Sequence, residues 1–433
     1  MISSCAENHV AARTLLRCGI LAIAALLSVT GSAHVPVPPG VLDPKTPAEA
    51  WNVIRLSTAN TARLLAEDRL AEIPDQISLC SPALRALPPW ADSARPVAAQ
   101  AVRAGVAITS LAQAAVAQDR VLAEQSLAAL RSALAEMTPA YAPKTVGADI
   151  FLCPMHPDFV SADPQTPCAK CGMNLLQRRI PYSFIYVPPG EPTIRLTARA
   201  DGNPVPGQTL RATVRLAWQD GSPVSASDLV VMHTQPIHLL IVDPTLADYH
   251  HEHPVPTETP GEYAFSFQPA TGASYRIFAD VVPAASGVQE YPQTDLPGKE
   301  PPKPAPIQRP GSAVCTVEGL TFYLRMAVGD GSPPRVGQTR NMQVAVMDAA
   351  GKPFLGLEPV MGAFAHLVGF YDDYHTVVHI HPEGGEVSDP QARGGSEMDF
   401  KFYPTRAGFI RLYCQVQVGG RAVFAPFDVN VAP

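Results

Sequence analysis

The chain has 433 residues, 46% of them hydrophobic, and a formal net charge of −7 at pH 7. That is apolar enough for real cores and long enough for two to four domains. An acidic chain with scattered Lys and Arg lacks the electrostatic footprint of a nucleic-acid partner, so none is expected.

Residues 1–33 read as a secretory signal peptide. Arg13 and Arg17 precede an apolar run, Ile20 to Val29, which closes on the small residues Gly31, Ser32 and Ala33. The run is short for a membrane span and no other stretch approaches about twenty apolar residues, so the mature chain is expected to be periplasmic or secreted without a transmembrane helix. Removing the segment leaves 30 basic against 38 acidic side chains and six cysteines: Cys80, Cys153, Cys168, Cys171, Cys315 and Cys414. Six are too few for a disulfide scaffold of this size, and three of them fall in one short stretch.

Residues 44–141 predict an antiparallel bundle of three or four helices. Trp51, Ile54, Leu64, Leu65, Leu70 and Ile73 are spaced for one buried stripe, and Pro74 is expected to stop or kink that segment. Ala98 to Ala117 and Val121 to Leu134 make two further helices, broken at Gln118-Asp119 and ended by Thr138-Pro139. No C-x-x-C-H occurs, so haem is not expected, and no phosphate loop suggests a nucleotide.

Residues 149–178 carry the densest chemistry. Cys153-Pro-Met-His156 and Cys168-Ala-Lys-Cys171 each place two ligands two residues apart. Such arms fold back on one centre, and three thiolates with one imidazole close a tetrahedron around a soft or borderline ion. Gly172 allows a tight knuckle. Met155 and Met173 add thioether sulfur, which Cu(I) prefers and zinc does not. Two readings compete with a metal site of that kind, a disulfide knuckle and a purely structural zinc ribbon.

Cys153, Pro154, Met155, His156 and Pro157, followed by Pro167, Cys168, Cys171, Gly172, Met173 and Leu175, closely resemble the heavy-metal-binding domain of copper- and silver-transporting P-type ATPases and of adaptor proteins in metal-efflux pumps. The resemblance implies a heavy-metal site and does not imply transport.

The rest of the chain is β in character. Residues 191–284 and 312–433 predict two β-sandwiches, Ig-like or cupredoxin-like, joined by a Pro-rich linker at 285–311. They form an internal repeat. His238, His251 and His253 recur with identical spacing as His366, His379 and His381. Phe265, Phe267 and Arg276 recur as Phe400, Phe402 and Arg411 at a slightly longer offset. The two domains also resemble secreted β-domains found beside heavy-metal-binding modules.

In the shared H-x12-H-x-H-P motif, residues two apart share a strand face, and a hairpin turning near Pro244-Thr245 or Asp373-Tyr374 returns the first His beside the pair. Each copy can thus gather three imidazoles for Cu(II) or zinc, or can use them as buried structural groups. Since neutral imidazole is the ligating form, such sites are expected to empty as pH falls through about 6.5. Cys315 and Cys414 suit an inter-sheet disulfide. No His and Met follow Cys414, which argues against blue copper.

The fold class expected is multidomain α + β. The function expected is sequestering or handing over a heavy metal, copper or silver, in the cell envelope, with a metal-efflux or chaperone protein as partner and no enzymatic role. A copper-dependent redox enzyme and an adhesion or assembly protein with a structural zinc knuckle are the alternatives.

Overall fold

The computed structural model describes residues 44–177, 192–299, 313–326, 332–380, 382–384 and 386–433. The expected signal peptide and His381 lie outside the described residues.

The chain is multidomain α + β, with helices first and, among the described residues, five antiparallel sheets after them. Helices α1 (Pro47–Ala66), α2 (Ile73–Ser78), α3 (Cys80–Ala86), α4 (Ala98–Val116) and α5 (Arg120–Met137) share one core that includes Trp51, Ile54, Leu111 and Leu130. Thr46 caps α1 by accepting from the Glu49 amide at 3.2 Å, with Pro47 in the first turn, where its missing N–H costs nothing. Pro74 does not end the first segment as expected. It occupies the first turn of α2, and the break comes earlier, at Asp68, whose φ is 60°. Between α4 and α5, Gln118 takes φ 56° and Asp119 accepts from the Leu122 amide at 3.0 Å.

A small sheet follows, in the order β2-β1-β3, from β1 (Phe151–Leu152), β2 (Val160–Ser161) and β3 (Leu176–Gln177). The first sandwich pairs β4 (Ile194–Ala200), β5 (Leu210–Trp218), β9 (Glu262–Phe267) and β8 (Val255–Pro256) in one sheet. Its second sheet holds β11 (Gln293–Leu296), β10 (Tyr275–Asp280), β6 (His238–Val242) and β7 (Tyr249–Glu252). Strand β11 falls within the 285–311 stretch expected as linker. It pairs with β10 from Tyr275↔Leu296 to Phe278↔Gln293, so the first sandwich extends to Leu296. The second sandwich joins β12 (Val314–Val317), β13 (Leu320–Met326), β14 (Arg340–Met347) and β17 (Glu397–Phe402). Facing them are β16 (Val377–Ile380), β15 (His366–Tyr371), β18 (Gly408–Val418) and β19 (Arg421–Val431). Cys315 on β12 and Cys414 on β18 stand in these opposing sheets as free thiols, not the expected disulfide.

The two sandwiches meet sheet against sheet. Strands β6 and β15 are buried along their whole length, the pattern of a sheet covered on both faces. Period-two alternation divides the work. Leu239, Ile241, Ile277 and Ala279 face the core of the first sandwich, and Leu367, Leu412, Cys414 and Val416 that of the second. The residues between them, Leu240, Val242, Tyr249 and Phe278 with Val368, Phe370 and Tyr413, form a separate cluster between the sandwiches. Tyr374 Oη donates to Val242 O at 3.0 Å and Tyr413 Oη to Leu246 O at 2.8 Å across the same seam.

Phe370 is 1% exposed and its ring centroid lies 5.2 Å from that of Tyr249 and 5.9 Å from that of Phe278. Phe370→Ala should therefore cost about 3–5 kcal/mol of stability in urea titration. A loss below about 1 kcal/mol would show that this seam is not a packed core.

Candidate metal centre

Among the described residues, two groups of ligand-type side chains are assembled. The first is the knuckle. Cys153 N donates to Phe159 O at 3.1 Å, Phe159 N to His156 O at 2.8 Å, Gly172 N to Cys168 O at 2.7 Å and Cys168 N to Met173 O at 2.9 Å. These bonds fold each arm so that its side chains converge. Gly172 has φ 77°, the left-handed backbone that only glycine adopts freely.

The sulfur atoms of Cys153, Cys168 and Cys171 and a ring nitrogen of His156 lie within 4.8 Å of one another, and all four residues are buried. Cys153 Sγ is 3.5 Å from Cys171 Sγ, and His156 Nδ1 is 3.8 Å from Cys153 Sγ and 3.7 Å from Cys168 Sγ. A tetrahedral ion with sulfur at about 2.3 Å and nitrogen at about 2.0 Å needs S–S edges of about 3.8 Å and S–N edges of about 3.6 Å. The group has those dimensions. A disulfide would need about 2 Å between sulfurs, and all three cysteines are free. S–H donation from Cys153 and Cys171 holds the Cys168 thiol well below its ordinary range, and the same contact with Cys168 pushes Cys153 up. Met155 and Met173 pack around the sulfurs, and so does Met232 of the first sandwich.

The second group lies in the seam. His238 Nδ1 is 3.2 Å from His251 Nε2 and 3.1 Å from His253 Nε2, and the three ligand atoms lie within 4.8 Å of one another. The hairpin β6–β7 makes this possible, pairing Leu239 with Glu252 and Leu240 with His251. His366 and His379 take the equivalent places on β15–β16, pairing Leu367 with Ile380 and Val368 with His379. The first expected site, His238, His251 and His253, is thus brought together, and the second includes His381, outside the described residues. His379 lies 6.1 Å from His238 and 6.0 Å from His251 between ring centroids, so both copies contribute to one cluster.

Three residues of this cluster did not stand out in the sequence. His233 joins it, 5.3 Å from His366. Asp280 Oδ2 meets His379 Nδ1 at 2.7 Å, and Gln415 Oε1 meets His251 Nδ1 at 2.7 Å. Each partner comes from the opposite sandwich. Asp280 and Gln415 stand at the same repeat offset as Arg276 and Arg411, so the register of the repeat carried the signal. His250 and His375 are elsewhere, the first on Asp248 and Phe267, the second beside Arg276.

Residues 193–292 and 316–433, half of the chain, match the family described as Domain of unknown function (DUF8832). The chain belongs to this family. The matched segments coincide with the two sandwiches and leave out the helices and the knuckle. No curated protein matches. Similar solved structures include Escherichia coli alpha-2-macroglobulin activated by porcine elastase, 14% identical over 55% of this chain and 20% of that one, with a TM-score of 0.17. A marsupial T cell receptor is 10% identical over 55% of this chain and 72% of that one, TM-score 0.17. MtrC from Shewanella baltica OS185 is 7% identical over 55% and 68%, TM-score 0.18. The chain spans 20% of the length of the first of these. Among the described residues of this DUF8832 member, no helix is long and apolar enough to cross a membrane.

Burial pushes the cluster's imidazoles below the ordinary histidine range, His233 to about 4 and His251, His366 and His379 strongly. Protonation of the metal-free cluster is therefore expected below the pH of about 6.5 that free histidine would suggest. The metal-free fold should pay for this. A histidine whose folded pKa is depressed takes its proton on unfolding, so its contribution is complete above about pH 6.5 and is lost on acidification, for His233 down to about 4. Each such group contributes at most on the order of 1.4 kcal/mol per pH unit. Glu252 and Glu290, raised by burial to about 7, act in the opposite sense but are fewer. At that slope, urea titration of chelator-treated protein should show a loss of about 2 kcal/mol between about pH 7.5 and about pH 5.5. A flat profile would contradict a buried neutral cluster.

Proposed function

We propose that the chain is an exported metal-binding protein that sequesters or hands over copper, with silver as its soft congener, in the cell envelope. It acts by binding and not by catalysis. The observation that carries this reading is the buried set of three sulfurs and one imidazole nitrogen within 4.8 Å of one another. Thiolates dominate affinity for Cu(I), and the thioether-bearing side chains of Met155, Met173 and Met232 surround them. The resemblance of this segment to heavy-metal-binding domains of ATPases and efflux adaptors points the same way.

Handover needs access. A cleft of about 240 Å³ lies beside Met155 and His156, lined also by Gln289, Tyr291 and Tyr403. An efflux or chaperone protein of the envelope would present its own soft ligands there. A closed four-ligand set of Cys and His also suits structural zinc, which is the rival reading.

Cys168→Ser with Cys171→Ser, in the full chain, should remove the tightest site. Competition against a Cu(I) chelator should show affinity falling by about 10³-fold or more, and zinc content should drop by one equivalent. Unchanged Cu(I) and zinc stoichiometry would overturn the proposal. A wild-type chain that holds zinc and refuses Cu(I) would favour the structural-zinc reading.

A further inference from the structure

Three histidine nitrogens of the first sandwich converge on one point in the seam. His253 Nε2 and His251 Nε2 lie 3.1 and 3.2 Å from His238 Nδ1, and the three atoms fall within 4.8 Å of one another. An ion held at about 2.0 Å by tetrahedrally placed imidazoles has nitrogen–nitrogen edges of about 3.3 Å. Both edges on His238 are close to that length.

The hydrogen bonds behind two of the rings decide which nitrogen presents a lone pair. His238 Nε2 faces Met232 O at 3.0 Å. A carbonyl only accepts, so this ring carries its proton on Nε2 and turns Nδ1 inward. His251 Nδ1 faces Gln415 Oε1 at 2.7 Å, so this ring is protonated there and turns Nε2 inward. Two lone pairs then meet at 3.2 Å, a repulsive contact without a cation between them. A shared proton would serve two nitrogens. A third nitrogen on the same point, His253 Nε2, is what a metal ion uses and a proton does not. Outer oxygens that pin the far nitrogen are also how imidazole ligands are held toward a metal.

The carbonyl behind His238 is itself fixed by the chain. Met232 and Gln235 exchange both backbone hydrogen bonds at 3.0 Å around His233 and Thr234, whose φ values are 47° and 73°. Left-handed backbone at both central positions makes the tight turn usually built with Gly, Asn or Asp. A β-branched threonine there holds a conformation it disfavours, the kind of outlier found at functional sites. The second copy builds the same turn from Val360 to Ala363, and Val360 O faces His366 Nε2 at 3.1 Å. The device that orients the first histidine thus belongs to the repeat.

Access comes through His253. His238 and His251 are buried, whereas His253 is half-buried and lines a surface cleft of about 500 Å³ with Arg211, Thr213 and Glu252. Protein fills three corners of a tetrahedron, which leaves the fourth for water or a small ligand.

We propose that His238 Nδ1, His251 Nε2 and His253 Nε2 bind one borderline divalent ion, Cu(II) ahead of Zn(II), at a site separate from the cysteine knuckle. Three nitrogens without sulfur suit these ions, and Cu(II) stands first in affinity at such sites. Gln415, from the opposite sandwich, is a positioning residue that holds the His251 ring. This goes beyond the Cu(I) reading of the knuckle and does not rest on it, because the site uses no thiolate.

The test uses the full chain with Cys153, Cys168 and Cys171 each changed to Ser, so that no knuckle thiol binds or reduces copper. Metal-free protein receives Cu(II), is desalted in glycine to strip loose ions, and is examined for copper content and by electron paramagnetic resonance. One equivalent should remain, with a spectrum split by nitrogen couplings, and Zn(II) should be held more weakly. His253→Gln and His253→Ala should each lower the affinity by at least about 10- to 100-fold and change that spectrum. Circular dichroism of the metal-free variants checks folding. Gln415→Leu should weaken binding by about 10- to 100-fold, and Gln415→Glu, which still accepts from His251 Nδ1, should restore it. His375→Ala, outside the cluster, should change nothing. Loss of all copper and zinc on desalting, or one equivalent whose affinity and spectrum survive both His253 variants, would overturn the site. Equal losses in Gln415→Leu and Gln415→Glu would overturn the positioning role.

Discussion

The structure depends on two sheets whose outer faces meet. In an isolated sandwich, β6, β10, β15 and β18 would each show one face to water, and every second residue would be polar. Here both faces are covered, so alternate residues build a sandwich core and the seam between sandwiches. At one end the seam is apolar, with Leu240, Phe278, Val368 and Phe370 packed together. At the other end, one or two pairs further along the same strands, it turns to histidine. Asp280 stands opposite His238, and Gln415 opposite His366. Docking the apolar end therefore sets the positions of the imidazoles at the other.

That burial has an electrostatic cost. Imidazoles taken out of water lose hydration, and each buried polar atom left unmatched would cost about 1–3 kcal/mol. The fold offsets part of this by reciprocity. The first sandwich gives Asp280 to His379 and the second gives Gln415 to His251, at 2.7 Å in both cases. Packing alone would be better served by Leu or Phe, as the other end of the same seam shows. Histidines here are held in fixed orientations, and three of them, His238, His251 and His253, stand close enough that they could hold an ion.

The knuckle was legible from sequence because it is local. Its four ligand-type side chains fall within one short stretch, Cys153 to Cys171, and the intervening turns determine the geometry. The sandwiches and the repeat were legible too, since alternation and turn residues are short-range signals. The partnership of the repeats was not. Two histidine triplets at one constant offset read as two equal sites, and only the packing of one sheet on the other shows that His379 of the second copy stands beside the triplet of the first. Pro74 was misread for a related reason: a proline can begin a helix as well as end one, and the left-handed Asp68 that separates α1 from α2 carries no strong sequence signature.

The knuckle and the histidine cluster are also joined by shared residues. Gln289 N donates to Pro154 O at 3.1 Å, while the Gln289 side chain donates to Asp280 Oδ1 at 2.5 Å, and the other Asp280 oxygen meets His379. On the other side, Met232 packs against the cysteines and gives its carbonyl to His238. The backbone next to Cys153 and the carboxylate that orients His379 thus lean on one glutamine. A ribbon that only fastened a domain could stand anywhere on the surface. This one is placed where a shift in its backbone reaches both sides of the histidine cluster through a single intervening residue.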